Sequence, residues 1–327
     1  MGVSTATTDE RVTSDPRGGW RGPGEAGDSV PGAAPAVLAV DIGGTKLAAA
    51  VVDHAGSILA RARAATPGSR RAEDVFGALT TVLDEVLARP GPRPEVCGVG
   101  CGGPMLAGGG EVSPLNIPAW RGFPLQRRLT DHLGLPVAVD NDAKALALGE
   151  GWLGAARGLD NYLAMVVSTG IGGGLVLDGR LLEGAKGNAG HIGHVVVEPD
   201  GRRCACGGRG CLEAEASGLS IASVTGRPTE QAPGSARRRC GTLVGRAVAS
   251  VANLLDLDLA VVGGSVALGF GAEFFDGAQR EVDERARLDF SRGTRVIPAG
   301  LGSDGPLLGA AAVARRSGPA RPGASAA

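Results

Sequence analysis

Two stretches of equal length govern the reading of this chain: residues 37–52, VLAVDIGGTKLAAAVV, and residues 162–177, YLAMVVSTGIGGGLVL. In each, a short apolar run meets a polar turn rich in glycine, and a second apolar run follows. Apolar runs of this length, bounded by turn residues, are buried strands. The turns fall at 41–46 and 168–174, so each stretch is a strand–turn–strand unit. Two matched units far apart in 327 residues imply a duplicated, two-lobed fold.

The surroundings fit α/β lobes. After the turn Asp53-His54-Ala55-Gly56 a third strand is expected over 57–65. Val75, Phe76, Leu79, Val82, Leu83 and Val86 have helical spacing, and Pro90 ends that helix. Further strands are expected at 96–100, 136–139, 259–262 and through Val296, with helices at 125–133, 141–153, 240–256 and 305–315. The expected organisation is a first lobe over 36–140, completed by the closing helix 305–316, and a second lobe over 141–304. Residues 1–35 and 317–327 are rich in Gly, Pro, Ser and mixed charge, and are expected to be disordered tails.

Glycine turns after strands can aim backbone N–H groups at phosphate oxygens. Thr45, Ser168 and Thr169 add hydroxyls, and Gly263-Gly264 repeats the device after a third strand. A lone glycine turn would be read as a tight hairpin; matched turns point to phosphate. Asp41, closing its strand, is placed to hold a magnesium ion, usually through water. Gly98, Gly100 and Gly103 match the GxGxxG pattern of dinucleotide sites, but Pro104, Gly108–Gly110 and Pro114 forbid the helix that such a site needs. Asp140-Asn141-Asp142 sits where a strand meets a helix. Asp142 there is either a plain helix cap or a general base facing a substrate hydroxyl, with Asn116 and Asn141 as neutral hydrogen-bonding partners. Polar groups converging on a cleft with few aromatics suit a sugar.

Residues 187–213, GNAGHIGHVVVEPDGRRCACGGRGCLE, carry a separate chemistry. His194, Cys204, Cys206 and Cys211 supply a Cys₃His set, a tetrahedral zinc site of structural type. The bland alternative is four unrelated residues. A Cys-x-Cys pair is poorly placed to bridge internally, and close cysteines without a secretion signal read as metal ligands. Cys97, Cys101 and Cys240 lie in apolar segments and are expected to be buried thiols. Net charge is −1, which offers no electrostatic footprint for nucleic acid or an anionic membrane. No segment approaches a membrane span, and no signal peptide opens the chain, so a cytoplasmic location is expected.

Together, residues 41–46, 141–150, 168–174, 189–213 and 262–266 resemble the ROK family, which groups sugar kinases with sugar-responsive repressors. The resemblance implies an actin-like, hexokinase-type (ribonuclease H-like) fold, with ATP and sugar between two lobes and a homodimer as the expected assembly. By position it implies a nucleotide site at Asp41, Gly43, Gly44, Thr45, Lys46, Thr169, Gly170, Gly263 and Gly264. It implies a sugar site at Gly103, Asn116, Asn141, His191, His194 and Glu213, with Asp142 as catalytic base. His194 would hold zinc through one ring nitrogen and face a sugar hydroxyl with the other. The implied reaction is transfer of the γ-phosphoryl of ATP to the 6-hydroxyl of a hexose or N-acetylhexosamine.

Three departures stand out. His191 replaces the Glu common in glucokinase-like members; the AGHIGH form is similar to bacterial N-acetylmannosamine kinases and makes N-acetylmannosamine the expected substrate, with glucose second. Lys144 stands where Asn is usual after Asn-Asp-Ala, and is read as a surface change. Residues 219–239 are shorter than in most relatives and carry Pro228 and Pro233, so a helix is expected to be missing or unwound there. The 35 residues before Ala36 hold no amphipathic helix and are not expected to form the DNA-binding module that the repressors need.

Overall fold

The computed structural model describes residues 36–317. The tails expected to be disordered lie outside the described residues, save that Ser317 is the last residue of the final helix. The first sheet holds β1 (Ala36–Ile42), β2 (Lys46–Val52) and β3 (Ile58–Ala65). Helix α1 (Ala72–Leu87) leads to β4 (Pro94–Cys101), and α2 (Leu125–Leu133) to β5 (Val137–Asn141). Helix α3 (Asp142–Trp152) crosses to the second sheet, which opens with β6 (Tyr162–Val167), β7 (Ile171–Leu177) and the short β8 (Arg180–Leu181). Then come α4 (Leu212–Ala216), α5 (Gly218–Thr225), α6 (Gly234–Leu255), β9 (Leu259–Gly263), α7 (Ser265–Phe270), α8 (Ala272–Arg285), β10 (Arg295–Pro298) and α9 (Gly305–Ser317).

The sheet orders are β3-β2-β1-β4-β5 and β10-β9-β6-β7-β8. Read from the opposite edge, the second repeats the first. In both, an antiparallel three-strand meander is extended by two parallel strands on the side of its first strand. This duplication is an α/β, two-lobed fold of hexokinase type. Each lobe has its own core: Leu38, Val40, Ile42, Leu79, Leu83 and Trp120 in the first, and Met165, Val167, Leu243, Val244, Val262 and Phe274 in the second.

Two helices bridge the sheets, and small residues let them approach. Helix α9 packs Leu307, Leu308, Ala310, Ala311 and Ala314 on Val37, Ala39, Ala48 and Ala50 of the first sheet. At Gly98 of β4 a Cβ would run into the Ala310 carbonyl. Helix α3 lies as closely on the second sheet: a Cβ at Gly174 would stand 2.8 Å from the Cα of Lys144. The two helices also touch, with the Cβ position of Gly149 3.0 Å from the Cα of Gly309. The buried carboxylate of Glu150 accepts N–H bonds from Ala155 (2.7 Å), Gly300 (3.0 Å) and Leu301 (3.1 Å), tying the end of α3 to the chain entering α9.

Three local expectations change. The second turn is only Ser168-Thr169-Gly170, and Gly172–Gly174 belong to β7: α3 leaves no room for side chains at Gly172 and Gly174, and Ile192 and Gly190 leave none at Gly173. Unwinding over 219–239 is confined to 226–233: α5 covers the first part, and α6 begins six residues before Cys240. Lys144 is not on the surface; it is fully buried. Among the described residues no helix is long and apolar enough to cross a membrane.

Candidate active site and metal centre

The carboxyl ends of the parallel strands build the floor of the cleft, as open α/β sheets do. Asp41 on β1 pairs in register with Gly100 on β4, and Gly100 with Asp140 on β5. The glycine leaves space beside Asp142, whose Cα is 3.7 Å from where a Gly100 Cβ would be. Asn141 caps α3: its Oδ1 accepts the Ala143 N–H at 3.0 Å. Asp142, the first helical residue, accepts the same N–H at 2.8 Å. The two side chains share this one N–H, which leaves the other oxygen of the Asp142 carboxylate for another role.

Both lobes crowd Asp142, yet one face of it meets solvent. Desolvation raises its pKa, against the Ala143 N–H and the nearby His191 ring, which lower it. Asp41 is raised to about 6, chiefly by desolvation and further by Asp142, while Lys46 (Nζ 4.0 Å away) opposes the shift. The Cys101 thiol, buried at the end of β4, is pushed far up by burial and by both carboxylates. Two acids thus share one electronegative floor, where a divalent cation or a proton donor would be welcome.

The remaining sugar-site candidates gather around this floor. Gly103 faces Asn141 and His191: its Cβ position lies 3.1 Å from Asn141 Nδ2 and 3.5 Å from His191 Cε1. Asn116 lies against Gly44 and Gly102. Glu213 accepts the Ile171 N–H at 3.0 Å and lies beside Gly170. Burial and the His194 ring lower the pKa of His191, whose ring centroid is 6.1 Å from that of His194. His191 is therefore mainly neutral at physiological pH, able to donate and accept hydrogen bonds.

The nucleotide candidates form two groups. In the first lobe, Gly43, Gly44, Thr45 and Lys46 make the β1–β2 turn, closed by Gly43 N–H to Lys46 O at 2.9 Å. In the second lobe three turns converge. Ser168 Oγ is 3.0 Å from Ser265 Oγ, Gly218 donates to Ser168 O at 2.8 Å, and Leu219 donates to Thr169 O at 3.4 Å. Gly264, with φ +96°, packs so closely on Val167 that no other residue fits. This patch of hydroxyls and N–H groups carries no charge of its own, and Gly170 at its edge lies against the Glu213 carboxylate.

The metal candidates come together fully. One ligand atom from each of His194, Cys204, Cys206 and Cys211 lies within 4.8 Å of the others. His194 Nδ1 is 3.7 Å from Cys204 Sγ, and Cys206 Sγ is 3.7 Å from Cys211 Sγ. The metal-facing nitrogen is Nδ1, which leaves Nε2 free. The Gly208 N–H and the Cys204 thiol lower the Cys206 pKa, while burial and the neighbouring thiols push Cys211 up to about 12. Three thiolates at this spacing repel one another unless a cation joins them, which suits a bound metal ion. Ion pairs brace the loop from behind. Glu215 is held by Arg202 and Arg239, and Arg246 joins Glu198 (2.6 Å) and Glu281 (2.9 Å) while donating to Val197 O.

Sequence reasoning missed Lys144, Glu150 and Asn188. The signal for Lys144 was legible: an Ala-Lys-Ala-Leu-Ala helix is apolar all round and so is buried, and Asp140 stands four residues earlier.

Comparison with known proteins agrees with this geometry. The family model described as ROK family matches residues 37–317. A glucokinase of Thermotoga maritima is 32% identical over 310 residues, spanning 85% of this chain and 96% of its own. An N-acetylmannosamine kinase of Yersinia pseudotuberculosis is 34% identical over 299 residues, spanning 86% and 98%. The crystal structure of a ROK family glucokinase from Streptomyces griseus, in complex with glucose and AMPPNP, superposes with a TM-score of 0.75 at 31% identity, covering 86% of this chain and 99% of that one. With its duplicated sheets, its four-ligand Cys/His cluster and sugar kinases as relatives along nearly its whole described length, this chain belongs to the ROK family.

Proposed function

We propose that this chain is an ATP-dependent sugar kinase that phosphorylates the 6-hydroxyl of a hexose or N-acetylhexosamine, with Asp142 as general base. The observation that carries this reading is the place of Asp142: an exposed carboxylate at the start of α3, its Cα beside Gly100, which pairs in register with Asp41. Desolvation raises its pKa, which makes the carboxylate a stronger base. It accepts the hydroxyl proton as the new O–P bond forms. Asn141, Glu213, His191 and the Nε2 side of His194 would orient the sugar. The β1–β2 turn and the 168–170, 218–219 and 263–265 turns would hold ATP through backbone N–H groups and hydroxyls. Asp41 suits a magnesium ion, which would neutralise charge on the transferring group. The Cys₃His set suits zinc, whose work would be to fix the His194 ring. For this work the first lobe is 36–140 with 305–316, and the second is 141–304.

N-acetylmannosamine is the preferred substrate on the identity of one residue. His191 puts a neutral imidazole beside Gly103 and Asn141, where a carboxylate would demand hydroxyl donors. Glucose is the second reading, favoured by the likeness to two glucokinases. A coupled ADP-release assay across N-acetylmannosamine, glucose, N-acetylglucosamine and fructose separates them. The highest kcat/KM is expected for N-acetylmannosamine. ADP release that no sugar stimulates would refute the kinase reading, and a preference for glucose would refute only the substrate.

A further inference from the structure

Lys144 lies two residues beyond Asp142, and its side chain is 1% exposed. Its Nζ donates to Glu183 Oε2 at 2.6 Å and to Gly187 O at 2.9 Å, and lies 3.8 Å from Asp140 Oδ1. Two hydrogen bonds and a longer ion pair thus surround the ammonium. Arg316, at the end of α9, bonds Glu183 Oε1 and also Asp140 Oδ2 at 3.2 Å. Two cations therefore join a carboxylate on the last strand of the first sheet to one on the loop after β8. Hydrogen bonds from Lys144 and Arg316 hold the Glu183 carboxyl below its ordinary value despite desolvation.

The loop that starts at Glu183 ends at His191. On the way, Gly187 lies against Ala107, its Cβ position 3.0 Å from the Ala107 Cα. Asn188 Nδ2 donates to Met105 O at 3.0 Å, and Asn188 Oδ1 accepts the Met105 N–H at 3.4 Å. Gly190 then packs on the Gly173 carbonyl, and His191 reaches Gly103 and Asn141. The loop crosses from one lobe to the other, and its origin is pinned to the helix that begins with Asp142.

We propose that Lys144 is a positioning residue: it ties loop 183–191 to helix α3, and so holds the spacing between His191 and Asp142. The proposal rests on the kinase reading of the same site. Lys144→Met keeps the length and apolar body of the side chain and removes its donors. Glu183→Gln alters an exposed partner and opens no cavity. Each variant should raise the sugar KM about 10-fold, since small misplacements of substrate-contacting groups cost this much or more. The KM for ATP should stay within about twofold, and the double variant should be no worse than Lys144→Met alone.

A readout independent of turnover accompanies this. In the full chain, hydrogen exchange of amides 184–191 should speed up in both variants while β6 and β9 keep their protection. Unchanged exchange in 184–191 overturns the proposal. So does a loosened loop with an unchanged sugar KM, or faster exchange spread evenly over the core with additive effects in the double variant. If the unaltered chain has no sugar-dependent turnover, the kinase reading falls instead, and exchange alone decides whether Lys144 holds the loop.

Discussion

The two lobes share one strand order but equip the same hairpin differently. The β1–β2 turn is flanked by Asp41 and Lys46, and its neighbours are Asn116 and Asp142. The β6–β7 turn has no charged residue of its own, with Glu213 at its edge; it offers hydroxyls and N–H groups from three converging segments, and Gly172 and Gly174 of its second strand let α3 lie on it. Duplication supplied two equivalent frames; on the proposed reading the first would serve a cation and the reacting hydroxyl, and both turns would hold phosphates, the second through neutral donors.

The sharpest way to break this contrast is Asp142→Asn. It should lower kcat by about 1,000-fold, within the range for a lost general base, while calorimetry finds sugar affinity within about threefold. Normal turnover would remove Asp142 from the mechanism.

Asp41→Asn tests the charged floor from the other side. Activity should fall about 100-fold, as when one stabiliser of developing charge is lost, yet the protein without ligands should become more stable. In the fold the Asp41 carboxyl is raised to about 6 from its ordinary 3.8, so the folded chain holds the proton more tightly. Stability then falls as pH rises from about 4 to about 6, and removing the charge restores up to about 3 kcal/mol at neutral pH. Urea unfolding at pH 4 and pH 7.5 checks this: the variant's advantage should appear only at the higher pH.

The metal centre comes next. Purified protein should carry about one zinc per chain, and Cys206→Ser should weaken metal binding by at least about 10-fold. Sugar affinity should fall with it, because His194 loses its anchor. A variant that keeps both metal and sugar affinity would dissolve the assignment.

The smallest effect compares glycines of the two lobes. Gly174→Ala drives a methyl group into the backbone of α3, with Ala143 O 2.9 Å from the new Cβ, and should cost about 1–3 kcal/mol of stability. Gly44→Ala meets the Cβ (2.7 Å) and the backbone carbonyl (2.9 Å) of Asn116, an exposed residue outside any helix. It should cost less stability than Gly174→Ala and show itself mainly in a raised KM. Equal destabilisation by both would mean that the two hairpins are under the same packing constraint.

Much of this molecule was legible before any coordinates. Apolar runs and turns placed every strand but β8, and helices α1, α2, α3, α6 and α9, because buried strands and helix faces must be apolar with a set period; α4, α5, α7 and α8 were not foreseen. The Cys₃His spacing marked a metal loop, because few other uses bring three thiols and an imidazole so close in sequence. The glycine turns and Asp142 could be singled out, but whether they share a cleft is decided by the crossing of α3 between two sheets. The same crossing decided what was misread. Gly172–Gly174 look like a loop until α3 lies on one face of them and Ile192 on the other, and Lys144 looks like a surface residue until Glu183, Gly187 and Asp140 surround its ammonium. Periodicity and ligand spacing are local properties, carried by neighbours in the chain. Burial, pKa and the partner of a charge depend on residues tens or hundreds of positions away, and only the packed lobes bring those together.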